Sequence, residues 1–105
     1  MAVEFDSAQE DGVLRVELTG DLDMTTAGSV EERLMELEAG DTPARVVLDL
    51  RGLRFIDSTG LSLLINAANR GRKAGWPVTV VSGTGASRRI LETTGLSRRL
   101  DVVEG

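Results

Sequence analysis

Asp57-Ser58-Thr59-Gly60 places a carboxylate, two hydroxyls and a glycine directly ahead of apolar residues at 61, 64, 65 and 68. That i, i+3, i+4, i+7 spacing is the stripe of an amphipathic helix, and Asp and Ser are both favoured at helix N-caps. A hydroxyl is therefore expected at a helix N-terminus, where unpartnered N–H groups and the helix dipole favour a phosphoryl group. Two roles stand open for Ser58: acceptor of a phosphoryl group, or plain cap of the helix. Asp57 orients Ser58, binds the metal-nucleotide side of a phosphoryl donor, or acts as a second cap. Gly83-Thr84-Gly85 is a weaker candidate for phosphate, because it lacks the lysine and spacing of a phosphate-binding loop, and it reads as a turn.

Other chemistries are removed by composition. The 105 residues include no cysteine and no histidine, which excludes disulfides, thiolate catalysis, histidine-dependent triads and histidine metal sites. Neither a catalytic residue, a metal nor a cofactor is expected. The N-terminus is acidic and lacks a basic segment ahead of an apolar one, and no apolar run reaches the ~20 residues that span a bilayer. The expectation is a soluble cytoplasmic protein with no membrane partner.

The net charge of −5 is unevenly spread: residues 1–43 hold 12 acids against two arginines, and residues 44–105 hold 10 bases against five acids. Opposed solvated faces are one reading, a basic partner-binding patch in the second half the other. Direct nucleic-acid binding is disfavoured, because Phe5, Phe55 and Trp76 are the only aromatics and all lie near strand-like apolar residues.

The elements that must position Ser58 follow from periodicity. Val3 and Phe5 alternate with acids in a short strand, Asp11-Gly12 turns the chain, and Leu14, Val16 and Leu18 alternate with Arg15, Glu17 and Thr19. Gly20-Asp21-Leu22-Asp23 ends that strand, and Ala27, Val30, Leu34 and Leu37 recur at helical spacing up to Gly40. Val46-Val47-Leu48 and Leu50, interrupted by Asp49, predict a central strand buried on both faces, parallel to the previous one because a helical crossover joins them. Asp21 and Asp23 then share one rim of the sheet with Ser58; capping of the first helix is the other reading of this pair. After the Ser58 helix come a strand at Val78–Val81, a short helix over Ser87–Thr93 closed by Gly95 with Leu96 packing back, and a last strand or tail at Leu100–Val103. Ser62, Asn66, Asn69, Arg70 and Lys73 form a polar stripe on the Ser58 helix, either solvated or a docking surface.

Phe55-Ile56-Asp57-Ser58-Thr59-Gly60-Leu61, following Leu48-Asp49-Leu50, resembles the phosphorylation loop of STAS-domain anti-sigma factor antagonists. Gly20-Asp21-Leu22-Asp23 with Thr26-Ala27, and Thr94-Gly95-Leu96, resemble that family's other two motifs in the same order and spacing, so the resemblance covers essentially the whole chain. It implies an α/β fold: a single STAS-type domain over residues 1–105, with a mixed four- to five-stranded sheet and helices packed mainly on one face.

The resemblance further implies a function. Unphosphorylated, such a protein binds an anti-sigma factor and frees a sigma factor; phosphorylated on Ser58 by that factor's serine kinase activity, it lets go until a serine phosphatase resets it. The partner-binding residues implied are Asp21, Asp23, Asp57, Ser58, Thr59, Gly60, Ser62 and Asn66. Thr59 is expected to cap or bond locally, Gly60 to leave room for a partner or ease the turn, and Arg54 to stand near the phosphate as counter-ion. The alternatives are a STAS interaction module of a larger signalling scaffold, and a nucleotide-binding domain.

Overall fold

Residues 2–105 are described by a computed structural model. The first strand, β1 (Val3–Glu10), is longer than its two inward residues suggest and pairs antiparallel with β2 (Val13–Leu22) through the Asp11-Gly12 turn. Both turn residues have positive φ, 54° and 81°, the geometry that matches the twist of a two-residue hairpin. Helix α1 (Ala27–Gly40) then carries the chain to β3 (Arg45–Ile56), which lies parallel to β2. Helix α2 (Ser58–Ala74), β4 (Val78–Val81), α3 (Ala86–Thr94), a 3-10 turn (Leu96–Arg98) and β5 (Asp101–Val103) complete a five-stranded sheet in the order β1-β2-β3-β4-β5. The sheet is mixed: β4 and β5 continue the parallel set.

One face of the sheet is covered and the other is open. Leu14, Val16 and Leu18 of β2, Val46, Leu48 and Leu50 of β3 and Val80 of β4 meet Val30, Leu34, Leu63, Leu64, Ala67 and Leu91 of the helices in a single core. Each such leucine contributes about 1.5–3 kcal/mol by leaving water. The central strand is therefore not buried on both faces. Val47 is half-buried, and Asp49 stands on the open face between Arg15 at 2.6 Å and Arg51 at 2.7 Å. The apolar run misled because Val47 alone breaks an otherwise ordinary alternation.

Two irregularities lengthen β3 relative to β2. Between the pairs Glu17↔Asp49 and Thr19↔Gly52, and again between Gly20↔Leu53 and Asp21↔Phe55, β3 advances one residue more than its partner. These bulges change which residues face inward, so Leu53 and Ile56 are buried although strict alternation from Leu50 would expose one of them. At the far end Gly95 takes a left-handed φ of 79° after α3 and Leu96 packs into the core, as a helix stop of this type requires.

Candidate functional site

The extension of β2 and β3 to Leu22 and Ile56 sets their carboxyl ends side by side, and the Asp57 N–H donates to the Leu22 carbonyl at 3.2 Å. The β2–α1 loop and the start of α2 consequently share one rim. This is the rim on which parallel topology expects Asp21, Asp23 and Ser58.

Asp57 is the N-cap of α2. Its Oδ1 accepts from the Gly60 N–H at 3.0 Å and its Oδ2 from the Met24 N–H at 3.0 Å, so one carboxylate closes the helix and ties the neighbouring loop to it. Ser58 is thereby left out of capping. Its side chain is exposed and its hydroxyl has no hydrogen-bond partner among the described residues; only its carbonyl is engaged, accepting from Ser62 Oγ at 3.0 Å. Thr59 is exposed too, and contrary to expectation its hydroxyl makes no local bond among the described residues. The Ser58 and Thr59 N–H groups face the same helix entrance without backbone acceptors among the described residues, as first-turn donors do.

Gly60 is buried, and a Cβ there would lie 2.6 Å from the Leu22 carbonyl oxygen and 2.8 Å from Ile56 Cγ1. Close approach of α2 to the strand ends within the chain itself accounts for this glycine.

The two other carboxylates are tucked in. Asp23 is 5% exposed; its Oδ1 accepts from the Thr25 hydroxyl at 2.6 Å and the Thr25 N–H at 2.9 Å, while its carbonyl accepts from Thr26 and Ala27 N–H. The Thr25 hydroxyl is the main reason its carboxyl lies below the ordinary range, against the opposing effect of burial. Asp23 thus shapes the turn before α1, whose N-cap residue, Thr26, makes no side-chain capping bond. Thr26 Oγ1 instead donates to the Asp21 carbonyl at 2.8 Å and accepts from the Asp23 N–H at 3.0 Å. Asp21, also 5% exposed, accepts from Arg54 at 3.3 Å. Arg54 is therefore already engaged, although its side chain is largely in solvent.

On α2 the buried positions are Gly60, Leu63, Leu64, Ala67 and Gly71, with Leu61, Ile65 and Ala68 half-buried. The inward stripe is rotated by about one residue from the 61/64/65/68 reading, because two glycines and an alanine, weak signals of burial, sit where the helix comes closest to the sheet. Ser62, Asn66, Asn69 and Lys73 remain exposed. Arg70 leaves the stripe: it is half-buried and reaches across to Glu38 at 2.7 Å and Glu31 at 3.2 Å on α1. The Gly83-Thr84-Gly85 segment connects β4 to α3, and its Gly83 N–H is taken up by the Glu104 carbonyl at 2.9 Å, which suits a turn better than a phosphate cradle.

Two rim residues are absent from the partner-binding set that the motifs imply. Met24, in the β2–α1 loop beside Asp23, is 76% exposed, and Phe55, near the end of β3 ahead of Ser58, is 46% exposed, both with large apolar side chains. The available signal was slight: an apolar residue among polar loop neighbours at 24, and a mostly apolar segment, Leu53-Arg54-Phe55-Ile56, whose bulged register alternation does not reveal. Among the described residues no cluster of three or more Asp and Glu is arranged to hold a metal ion, and no helix is long and apolar enough to cross a membrane.

Comparison with known proteins bears on the family and the fold. The STAS domain family model matches residues 4–104. The anti-sigma-F factor antagonist RsfB of Mycobacterium tuberculosis is 33% identical over 93 residues, covering 87% of this chain and 73% of the relative. The anti-sigma F factor antagonist of Paenibacillus polymyxa is 26% identical, covering 99% of this chain and 89% of its own. Among solved structures, an anti-sigma factor antagonist from Mycobacterium paratuberculosis superposes with a TM-score of 0.84 at 28% identity, covering 99% of this chain and 87% of the other. With its three motifs, its five-stranded mixed sheet and this match from end to end, the chain belongs to the STAS domain family.

Proposed function

We propose that this chain is an anti-sigma factor antagonist: it binds an anti-sigma factor, so releasing a sigma factor, and is switched off by phosphorylation of Ser58. The observation that carries this reading is the exposed Ser58 hydroxyl at the entrance of α2, without a partner among the described residues, with the capping duty already met by Asp57. The serine kinase activity belongs to the anti-sigma factor and the reversal to a serine phosphatase. This chain serves as their substrate, in the cytoplasm, with residues 1–105 acting as one STAS domain.

The exposed rim around Ser58, namely Met24, Thr25, Phe55, Thr59, Ser62 and Asn66, is the contact surface. Asp21, Asp23, Asp57 and Gly60 belong to the site by shaping that rim. Phosphorylation brings about −1.5 to −2 charges at neutral pH. The free domain tolerates them, because the helix dipole and the first-turn N–H groups favour an anion there. In the complex the same charge would be desolvated beside Asp57, which costs several kcal/mol; at ~1.4 kcal/mol per decade that is a hundredfold or greater loss of affinity.

The experiment is an affinity pull-down from the native cytoplasm with phosphosite mapping of the recovered chain. An anti-sigma factor with serine kinase activity and phosphate confined to Ser58 are expected. Recovery of oligomeric STAS proteins without an anti-sigma factor would favour a scaffold module instead.

A further inference from the structure

Exposed large apolar side chains become informative when they cluster at a site. Four are well exposed among the described residues, Met24, Met35, Phe55 and Val103, and two of these belong to the rim that carries Ser58. Met24 is the most exposed of the four, yet its backbone is clamped from both sides. Its own N–H is held by Asp57 Oδ2 at 3.0 Å, and the next residue is fixed by Asp23 Oδ1 through the Thr25 N–H at 2.9 Å and hydroxyl at 2.6 Å. The Asp23 N–H is held in turn by Thr26 Oγ1 at 3.0 Å.

The rim acids meanwhile have oxygens already engaged within the chain, although Asp23 and Asp57 are bonded by neutral donors and keep their charge. Asp23 is taken up by Thr25, Asp57 by Gly60 and Met24, and Asp21 by Arg54. A flexible, polarisable side chain on a fixed backbone is suited to fill a partner's pocket, and pre-ordering that backbone removes part of the entropic cost of binding.

We infer that Met24, assisted by Phe55, is the apolar anchor of the partner interface, and that Asp23 and Asp57 are positioning residues that hold Met24 for it. This rests on the anti-sigma factor reading above and specifies the partner's chemistry: an anti-sigma factor whose contact surface presents an apolar pocket to the β2–α1 turn. It also adds to the cost of a phosphate on Ser58 in the complex, since the charge would be desolvated close to an apolar anchor as well as beside Asp57.

The test is a double-mutant cycle measured by calorimetry against the purified anti-sigma factor recovered with the wild-type chain. Met24→Ala is expected to weaken binding roughly tenfold or more, the size of an interface anchor, and Met24→Leu to stay within about threefold of wild type. Asp57→Ala is expected to weaken binding in the wild-type background but to add much less once Met24→Ala is present, because it acts through Met24. Met24→Ala binding within about twofold of wild type overturns the inference, as does an Asp57→Ala loss of equal factor in both backgrounds. Should Asp57→Ala melt too early to be measured, the Met24→Ala and Met24→Leu pair decides alone. If the wild-type chain binds no anti-sigma factor, the functional reading itself fails, a result distinct from either of these.

Discussion

Ser58 can be altered without disturbing the helix that presents it, since the Gly60 N–H is satisfied by Asp57 and the serine hydroxyl bonds to nothing among the described residues. Ser58→Ala is therefore expected to abolish phosphorylation by the cognate kinase, to leave partner affinity near wild type and to shift the melting temperature by little. Labelling of Ser58→Ala at wild-type strength would move the acceptor to Thr59, which is also exposed and whose hydroxyl also makes no bond among the described residues. Ser58→Asp should reproduce the phosphorylated state only in part, because a carboxylate carries less charge and fewer acceptor oxygens than a phosphate. Asp23 is a graded case. Asp23→Asn keeps one oxygen as acceptor for Thr25 and should weaken the complex less than Asp23→Ala, which frees the turn beside Met24; equal affinities for both variants and wild type, with folding verified, would reduce Asp23 to a local turn residue.

At the scale of elements, α2 is fixed to α1 as well as to the sheet. Glu38 is a buried carboxylate whose partner is Arg70, and removing the guanidinium strands it. Arg70→Ala is expected to cost about 3 kcal/mol, the range for breaking a buried pair from one side, seen as a drop of roughly 10 °C or more in melting temperature. A loss below about 0.5 kcal/mol would mean that Glu38 finds water instead.

Much of the element plan could be read from sequence, because Leu14/Val16/Leu18 and Val30/Leu34 follow clean periods of two and of 3.6. The rim was read less well. The bulges in β3 break the period at Leu53 and Ile56, Gly60 and Gly71 bury a helix face without an apolar side chain to announce it, and Arg70 resembled a solvated stripe residue until α1 placed Glu38 against it. The Ser58 loop was legible as chemistry at a helix entrance. That Asp57 relieves Ser58 of capping rests on a local bond to Gly60, but that the same carboxylate also holds Met24, 33 residues away, is revealed by no local pattern.

Across the whole molecule two carboxylates carry acid sensitivity, Asp23 at the rim and Asp49 on the open face of the sheet. The Asp49 carboxyl is held below its ordinary range, chiefly by hydrogen bonds from Arg51, against the cost of burial and with the Arg51 and Arg15 charges assisting. A depressed carboxylate pKa adds stability that is present above the unfolded value of ~3.9 and is lost as pH falls through the lower folded value. Melting temperature should thus hold steady from neutral pH to about pH 5 and fall below about pH 4; Asp49→Asn should lower it at neutral pH and flatten the acid limb. A wild-type-like acid limb in that variant would assign the sensitivity elsewhere.

The same rigidity bears on the switch. With one core joining all three helices to one face of the sheet, a charge added at the α2 entrance has no loose element to displace and acts on the partner instead. The most direct test is to measure anti-sigma factor affinity for the unmodified chain and for the chain phosphorylated on Ser58, with amide exchange recorded on the same two free proteins. The account predicts a hundredfold or greater loss of affinity with exchange protection unchanged in β2, β3 and β4. A loss of affinity that comes only with broad loss of protection across the sheet, or phosphorylation that leaves affinity intact, would contradict it.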